Sequence, residues 1–230
     1  MKFKWTYVWI LLLVLIVLFK WHSMVKGEYT ASGPVVKVMS IGSSVAEGWD
    51  DPSGGGYLKR AFAAFNQYNH VNDQLINKAK AGDTVVKIKS QYANWLKSIQ
   101  PKVVVLAWGA LDDLSNHTPM PVYKQQIRNE ISSALAQHAK VFVVTPPITR
   151  ASYTQYKVQE AQMVNTEISI AKTFPSHQVY VFDVFNQMKK YIAAHHQTYV
   201  PYMADGWHPN SKGHALAGQL LFADMKAALG

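Results

Sequence analysis

The chain has 230 residues, 49% of them hydrophobic and 16% charged, with a formal net charge of +9 and no cysteine. That length suits one domain with a short appendage, and the composition excludes a disordered chain, a collagen-like chain and a long coiled coil. Without cysteine there is no disulfide framework, thiolate metal centre or thiol nucleophile, yet a core of this size can be stable outside the cell without staples.

The chain opens on an apolar run. Residues 5–19, WTYVWILLLVLIVLF, carry no charge, and Lys2, Lys4, Lys20 and Lys26 flank them. The run is shorter than the ~20 apolar residues that span a bilayer comfortably. Trp5, Tyr7, Trp9 and Trp21 suit the two interfaces, with Lys4 and Lys20 snorkelling outward. The first small-residue cleavage site lies far downstream, near Ala31. Residues 1–26 are therefore read as an uncleaved membrane anchor, with a cleaved signal segment as the alternative. Two lysines on a short amino-terminal tail place the start inside and the body outside at the cell membrane, or secreted if the segment is removed. Residues 27–34 form a polar linker. The other basic residues are scattered, without a basic block interleaved with aromatics, so no nucleic-acid partner is expected. Their excess suits adsorption to anionic lipids or wall polymers, or simply a solvated surface.

From residue 35 to residue 230 short β-rich runs alternate with amphipathic stretches. Strands are expected over 35–41, weakly over 74–79, and over 103–108, 141–145 and 179–185. Helices are expected over 56–68, 84–98, 121–138, 152–173 and 212–228. Near-continuous apolar strands, each followed by a helix, predict an α/β domain with a parallel sheet covered on both faces. Such sheets bind ligands beyond the carboxyl ends of their strands, so the loops after Ile41, Ala79, Trp108, Thr145 and Phe185 are the ones to inspect.

The first of these loops reads Gly42-Ser43-Ser44-Val45-Ala46-Glu47-Gly48. A serine in a strand-to-helix turn serves either as a nucleophile or as a helix N-cap. Near the other end stands Asp205-Gly206-Trp207-His208-Pro209. Asp and His three residues apart meet across one tight turn, where the carboxylate holds one ring nitrogen and leaves the other free as a base. Together with a serine on the first loop, this pair makes a Ser–Asp–His candidate. The G-x-S-x-G elbow of the α/β-hydrolases is absent.

These blocks resemble those of the SGNH hydrolases, also called GDSL esterases and lipases. The family's first block, G-D-S-x-x-x-G, is similar to residues 42–48 with Ser43 in place of the Asp, and its last block, D-x-x-H-P, matches residues 205–209 fully. A glycine after the second strand is matched by Gly82. The third block, G-x-N-D, meets Gly109-Ala110-Leu111-Asp112-Asp113. One alignment keeps Gly109 and puts Leu111 at the Asn position; the preferred one aligns Asp113 with the final Asp and puts Asp112 there.

The resemblance implies a three-layer α/β/α sandwich with a five-stranded parallel sheet, the flavodoxin-like SGNH fold. It implies a serine esterase acting on acyl or acetyl esters of lipid or carbohydrate through an acyl-serine intermediate. Ser44 would be the nucleophile, His208 the general base and acid, and Asp205 the residue orienting His208. The oxyanion hole would consist of the backbone N–H groups of Ser44 and Gly82 and a third donor at Asp112, which donates only when protonated. An acyltransferase to a sugar hydroxyl, or a non-catalytic wall- or carbohydrate-binding module, are the alternatives. Trp49, Trp108 and Trp207 stand beside these residues, either lining a substrate pocket or packing in the core. Arg150 suits an anionic group or plain surface. Gly54-Gly55-Gly56 lacks a nucleotide-binding spacing, and His195-His196 lacks a partner carboxylate pattern, so no cofactor or metal is expected.

Overall fold

A computed structural model describes residues 33–230; the apolar run and most of the linker lie outside the described residues. Strand β1 (Val36–Gly42) leads into a single helical turn, α1 (Ser44–Glu47), and then α2 (Gly56–Asn69). There follow β2 (Asp73–Asn77), α3 (Lys89–Ile99), β3 (Val103–Ala107), the short α4 (Leu111–Ser115) and α5 (Met120–Ala136). The last part holds β4 (Lys140–Val144), α6 (Lys157–Ala171), β5 (Val179–Phe182), α7 (Val184–Ala194) and α8 (Ser211–Leu229).

The five strands form one parallel sheet in the order β2-β1-β3-β4-β5. Alternate side chains of each strand point to opposite faces. Val38, Val105, Phe142 and Val144 pack beneath α2, α7 and α8, with Leu58, Phe62, Met188 and Leu221. Met39, Ile41, Val104, Leu106 and Val143 pack beneath α3, α5 and α6, with Leu96, Ile127, Ile131 and Met163. Both faces of the sheet are thus covered, which explains why β1, β3 and β4 read as near-continuous apolar runs, while the edge strand β2, DQLIN, does not.

The strand order reverses between β1 and β3, so the crevice at the switch point opens at the carboxyl ends of these two strands. Their register brings Gly42 level with Ala107. A Cβ at Gly42 would fall 2.4 Å from the Ala107 carbonyl oxygen, so only glycine lets the two strand ends come this close.

The predicted strand over 179–185 ends early. Asp183 caps α7, its carboxylate accepting the Asn186 N–H at 3.2 Å, and Val184 and Phe185 are the buried start of that helix. The helix expected from residue 84 begins at Lys89, because 85–88 form turns.

Candidate active site

Ser44 is the first residue of α1, placed directly beyond β1 and 7% exposed. Its Oγ lies 3.0 Å from His208 Nε2. His208 Nδ1 lies 2.8 Å from Asp205 Oδ2, across the tight turn that the three-residue spacing predicts. The other Asp205 oxygen accepts the N–H groups of Trp207 at 2.6 Å and His208 at 2.7 Å. Partial burial pushes the Asp205 carboxyl up, but the bonds from His208 and these two N–H groups outweigh it and hold the group below its ordinary range. With Nδ1–H donated to an ionised Asp205, Nε2 is left to accept the Ser44 hydroxyl proton.

The turn carrying His208 is fixed from several sides. Asn210 caps α8, its Oδ1 accepting the Gly213 N–H at 3.0 Å, while its Nδ2 donates to Pro201 O and Met203 O at 3.1 Å each. A second clamp joins α8 to the loop after α1. Fully buried Asp51 accepts both Arg60 Nε and Nη2 at 2.8 Å and the Ser211 hydroxyl at 2.7 Å. The Arg60 bonds hold the Asp51 carboxyl far below its ordinary range despite its burial. Beside it, buried His214 accepts the Tyr57 N–H at Nδ1 and donates from Nε2 to Trp49 O at 2.9 Å. Burial holds the His214 ring below its ordinary pKa, as this neutral tautomer requires. Asp51, Arg60, Asn210, Ser211 and His214 were not singled out by sequence reasoning. A D-x-x-H-P-N-S run heading a helix is a capping signal for Asn210; the remaining partners carry no local signature.

Gly82 stands in the loop after β2 with φ +75 and open space where a Cβ would project. Two side chains pin that loop against α1. Asn77 donates to Ala46 O at 3.0 Å and accepts the Ala79 N–H at 3.0 Å, and Glu47 Oε2 accepts the Ala81 N–H at 2.7 Å.

After β3, Ala110 takes a left-handed conformation (φ 62) and α4 begins. Asp112 and Leu111 both line the cleft beside Ser44, together with Ser43, Pro146 and Trp207. Burial raises the Asp112 pKa, opposed by a hydrogen bond with Ser43 and by the nearby His208. Asp113 turns the other way, into the interior, where its Oδ2 accepts the Val85 N–H at 3.3 Å and burial pushes its pKa up to about 6. The cleft is small, with a free volume of about 10 Å³.

The three tryptophans separate. Trp108 is buried and donates Nε1–H to Glu130 at 2.8 Å, which makes it a core residue. Trp49 is 49% exposed, with its ring centroid 5.8 Å from that of His208. Trp207 stands edge-on to Tyr156 at 6.0 Å. Arg150 shares a neighbouring recess with Tyr199 and Asp205. A second carboxylate, Asp50, also approaches the imidazole, 3.9 Å from Nδ1. His195 ends α7, bonded to Tyr191 O at 2.7 Å and stacked on that ring.

A family model described as the GDSL-like lipase/acylhydrolase family matches residues 40–216. No curated protein matches the chain. Axe2, an acetylxylan esterase from Geobacillus stearothermophilus, is similar in structure, with a TM-score of 0.68 at 15% identity over 88% of this chain and 97% of that one. LAE5, an alpha/beta hydrolase enzyme from the metagenome of Lake Arreo, Spain, has a TM-score of 0.67 at 19% identity over 89% of this chain and 100% of that one. Solved mutants of Axe2 described as catalytic replace a serine, an aspartate and a histidine of that protein.

Proposed function

Since the chain belongs to the GDSL-like lipase/acylhydrolase family, we propose that it is a serine esterase that removes a small acyl group, acetyl in size, from a carbohydrate hydroxyl. The observation that carries this reading is the relay Ser44 Oγ to His208 Nε2 at 3.0 Å and His208 Nδ1 to Asp205 at 2.8 Å.

In the proposed reaction His208 takes the Ser44 hydroxyl proton at Nε2 as Oγ attacks the ester carbonyl carbon. Asp205 stabilises the imidazolium that forms. Negative charge then builds on the former carbonyl oxygen. The N–H groups of Ser44 and Gly82 serve as two donors to it, and a protonated Asp112 as the third. Collapse of the tetrahedral intermediate breaks the carbon–alkoxide bond, and His208 Nε2–H protonates the departing alcohol. A water, deprotonated by the same nitrogen, then attacks the acyl-Ser44 ester. The carboxylic acid leaves and Ser44 regains its proton.

The small acyl group is inferred from the cleft. About 10 Å³ of free space beside Ser44 suits a group of water or methyl size. The carbohydrate is inferred from Trp49, whose half-exposed ring beside His208 offers a flat apolar face to a sugar. Axe2 is described as acting on acetylated xylan and xylo-oligosaccharides, which accords with this reading.

Mass-spectrometric mapping after treatment with a fluorophosphonate tests it. An adduct on Ser44 is expected, and no adduct in His208→Ala. Labelling elsewhere, or none, refutes the assignment. Product analysis with and without a polyol acceptor separates hydrolysis from acyl transfer. The family membership and the relay favour an enzyme over a binding module. We also propose that residues 1–26 anchor the domain outside the membrane. Fractionation with membranes, resistant to high salt, is expected; a soluble chain beginning near residue 32 refutes it.

A further inference from the structure

A recess of about 940 Å³ lies away from Ser44, between α5 and α6. Lys124, Arg128, Lys157 and Lys189 line it, together with amides and hydroxyls such as Gln162 and Asn165. The acids of these two helices are Glu130, Glu160 and Glu167, and all three are buried. The solvent face therefore carries cations without a compensating carboxylate. Among the described residues none of the four cations makes an ion pair. Lys189 is half-buried, and desolvation together with Lys157 lowers its pKa, against the pull of Glu160 beneath. Half-buried Lys189 and its neighbour Lys157, with exposed Lys124 and Arg128 along the same recess, favour an anion there.

A chain of contacts leads from this recess to the active site. Lys189 Nζ lies 5.5 Å from the Tyr153 ring centroid, and Tyr153 stacks on Tyr199 at 4.6 Å. Tyr199 lines the next recess with Arg150 and Asp205.

We propose that the α5–α6 groove binds an anionic glycan, and that the ester cleaved at Ser44 is carried on such a chain. This rests on the esterase reading for the bond cleaved, but the groove's ligand is testable without it. Val158 is the one exposed large apolar side chain of the lining, and a strip of amides and hydroxyls among cations fits a chain with alternating hydroxyl and acidic groups better than a lipid surface, which needs several such anchors.

The test compares three substrates bearing the same acetyl ester: acetylated polygalacturonate, acetylated xylan and p-nitrophenyl acetate. The protein is the wild type or the surface double variant Lys124→Glu/Lys157→Glu. The wild type should prefer the acidic polymer, with kcat/KM falling as salt rises. The double variant should lose about tenfold on that polymer through KM and nothing on the other two. Equal losses on all three, or no loss on the acidic polymer, overturn the proposal. Calorimetric binding of unesterified polygalacturonate and of sodium polyphosphate, to Ser44→Ala protein, tests the groove when no ester is cleaved and separates carboxylate from phosphate recognition. Binding of neither polymer, or binding only to phosphatidylglycerol vesicles, also overturns it.

Discussion

Asp50 Oδ2 lies 3.9 Å from His208 Nδ1, so the imidazole faces a second carboxylate besides Asp205. Asp50, Asp205 and His208 all bring polar atoms within 4.8 Å of one another. An imidazolium formed during attack is stabilised by both charges, the nearer one through a hydrogen bond and the other through space. Asp50 sits at φ 62, a conformation that asparagine tolerates, so Asp50→Asn removes charge without breaking the turn. A single charge at this distance in water-like surroundings is worth about threefold to tenfold. Asp50→Asn should lower kcat/KM by about that factor. Asp205→Asn should lower it much further, yet leave Asp50 as a partial substitute. Losses in Asp50→Asn/Asp205→Asn beyond the product of the single effects would support this; multiplicative losses would show that Asp50 does not stand in for Asp205, and an unchanged Asp50→Asn would remove it from the mechanism.

Two adjacent serines receive different fates. Ser44 Oγ faces His208, whereas Ser43 is bonded to Asp112 and packed near Gly109. Ser44→Ala should lower kcat by about 10⁶ with the fold intact, as loss of the nucleophile does in a well-studied hydrolase. Ser43→Ala should keep turnover on p-nitrophenyl acetate and change chiefly its pH dependence, through Asp112. Circular dichroism checks folding of both. Inactive Ser43→Ala beside active Ser44→Ala would reverse the assignment.

The buried acids set the pH dependence of stability. Burial pushes Glu130 up to about 8, Glu160 up to about 7 and Asp113 up to about 6, and raises Glu167 well above its ordinary range. A carboxyl whose folded pKa exceeds its unfolded one stabilises the fold below the unfolded value, and this is lost as pH rises through the folded value. The chain should therefore be most stable near pH 5 and lose stability towards pH 8. A tenfold difference in proton affinity between the folded and unfolded chain corresponds to about 1.4 kcal/mol, or about 3–6 °C in a domain of this size. Glu130→Gln keeps an acceptor for the Trp108 N–H while removing the ionisation. Its Tm should match the wild type at pH 5 and exceed it at pH 8. Parallel Tm–pH curves would show that Glu130 does not titrate in this range.

What the sequence disclosed follows from the range of the interactions involved. Strands β1, β3, β4 and β5 were legible because each reads as a short apolar run, whereas the edge strand β2, DQLIN with no buried residue, was legible only weakly. Helix α7 was not, because Val184 and Phe185 continue the apolar run of β5 and hide the cap at Asp183. Asp205 and His208 were legible because they are three residues apart. Asp51 and Ser211 meet across 160 positions, and His214 and Trp49 across 165, so nothing local marked them. Asp112 was found by motif position, and its partnership with Ser43 emerges only when the loops after β1 and β3 are brought side by side. The hydroxyl of Ser43, where the family block has Asp, and the carboxyl of Asp112 face each other across the switch point.

That pairing makes Asp112 the sharpest test of the site. Its carboxyl is raised by burial, the opposing influences being the Ser43 bond, His208 and Lys87, while Asp83 reinforces the rise. Asp113, raised to about 6, adjoins it in the chain. A protonated Asp112 can accept from Ser43 with one oxygen and donate from the other to the developing oxyanion. Once ionised it donates nothing and repels that charge. Wild-type kcat/KM on p-nitrophenyl acetate should therefore fall as pH rises through the Asp112 pKa. Asp112→Asn supplies N–H donors at every pH and keeps a carbonyl oxygen for Ser43. The ratio of variant to wild type should then climb with rising pH towards the about 10²–10³ that one oxyanion donor is worth. Profiles measured from pH 5 to 9 that superimpose would place the Asp112 carboxyl outside the oxyanion hole. Leu111 would then hold the Asn position, and two backbone N–H groups would stabilise the intermediate alone.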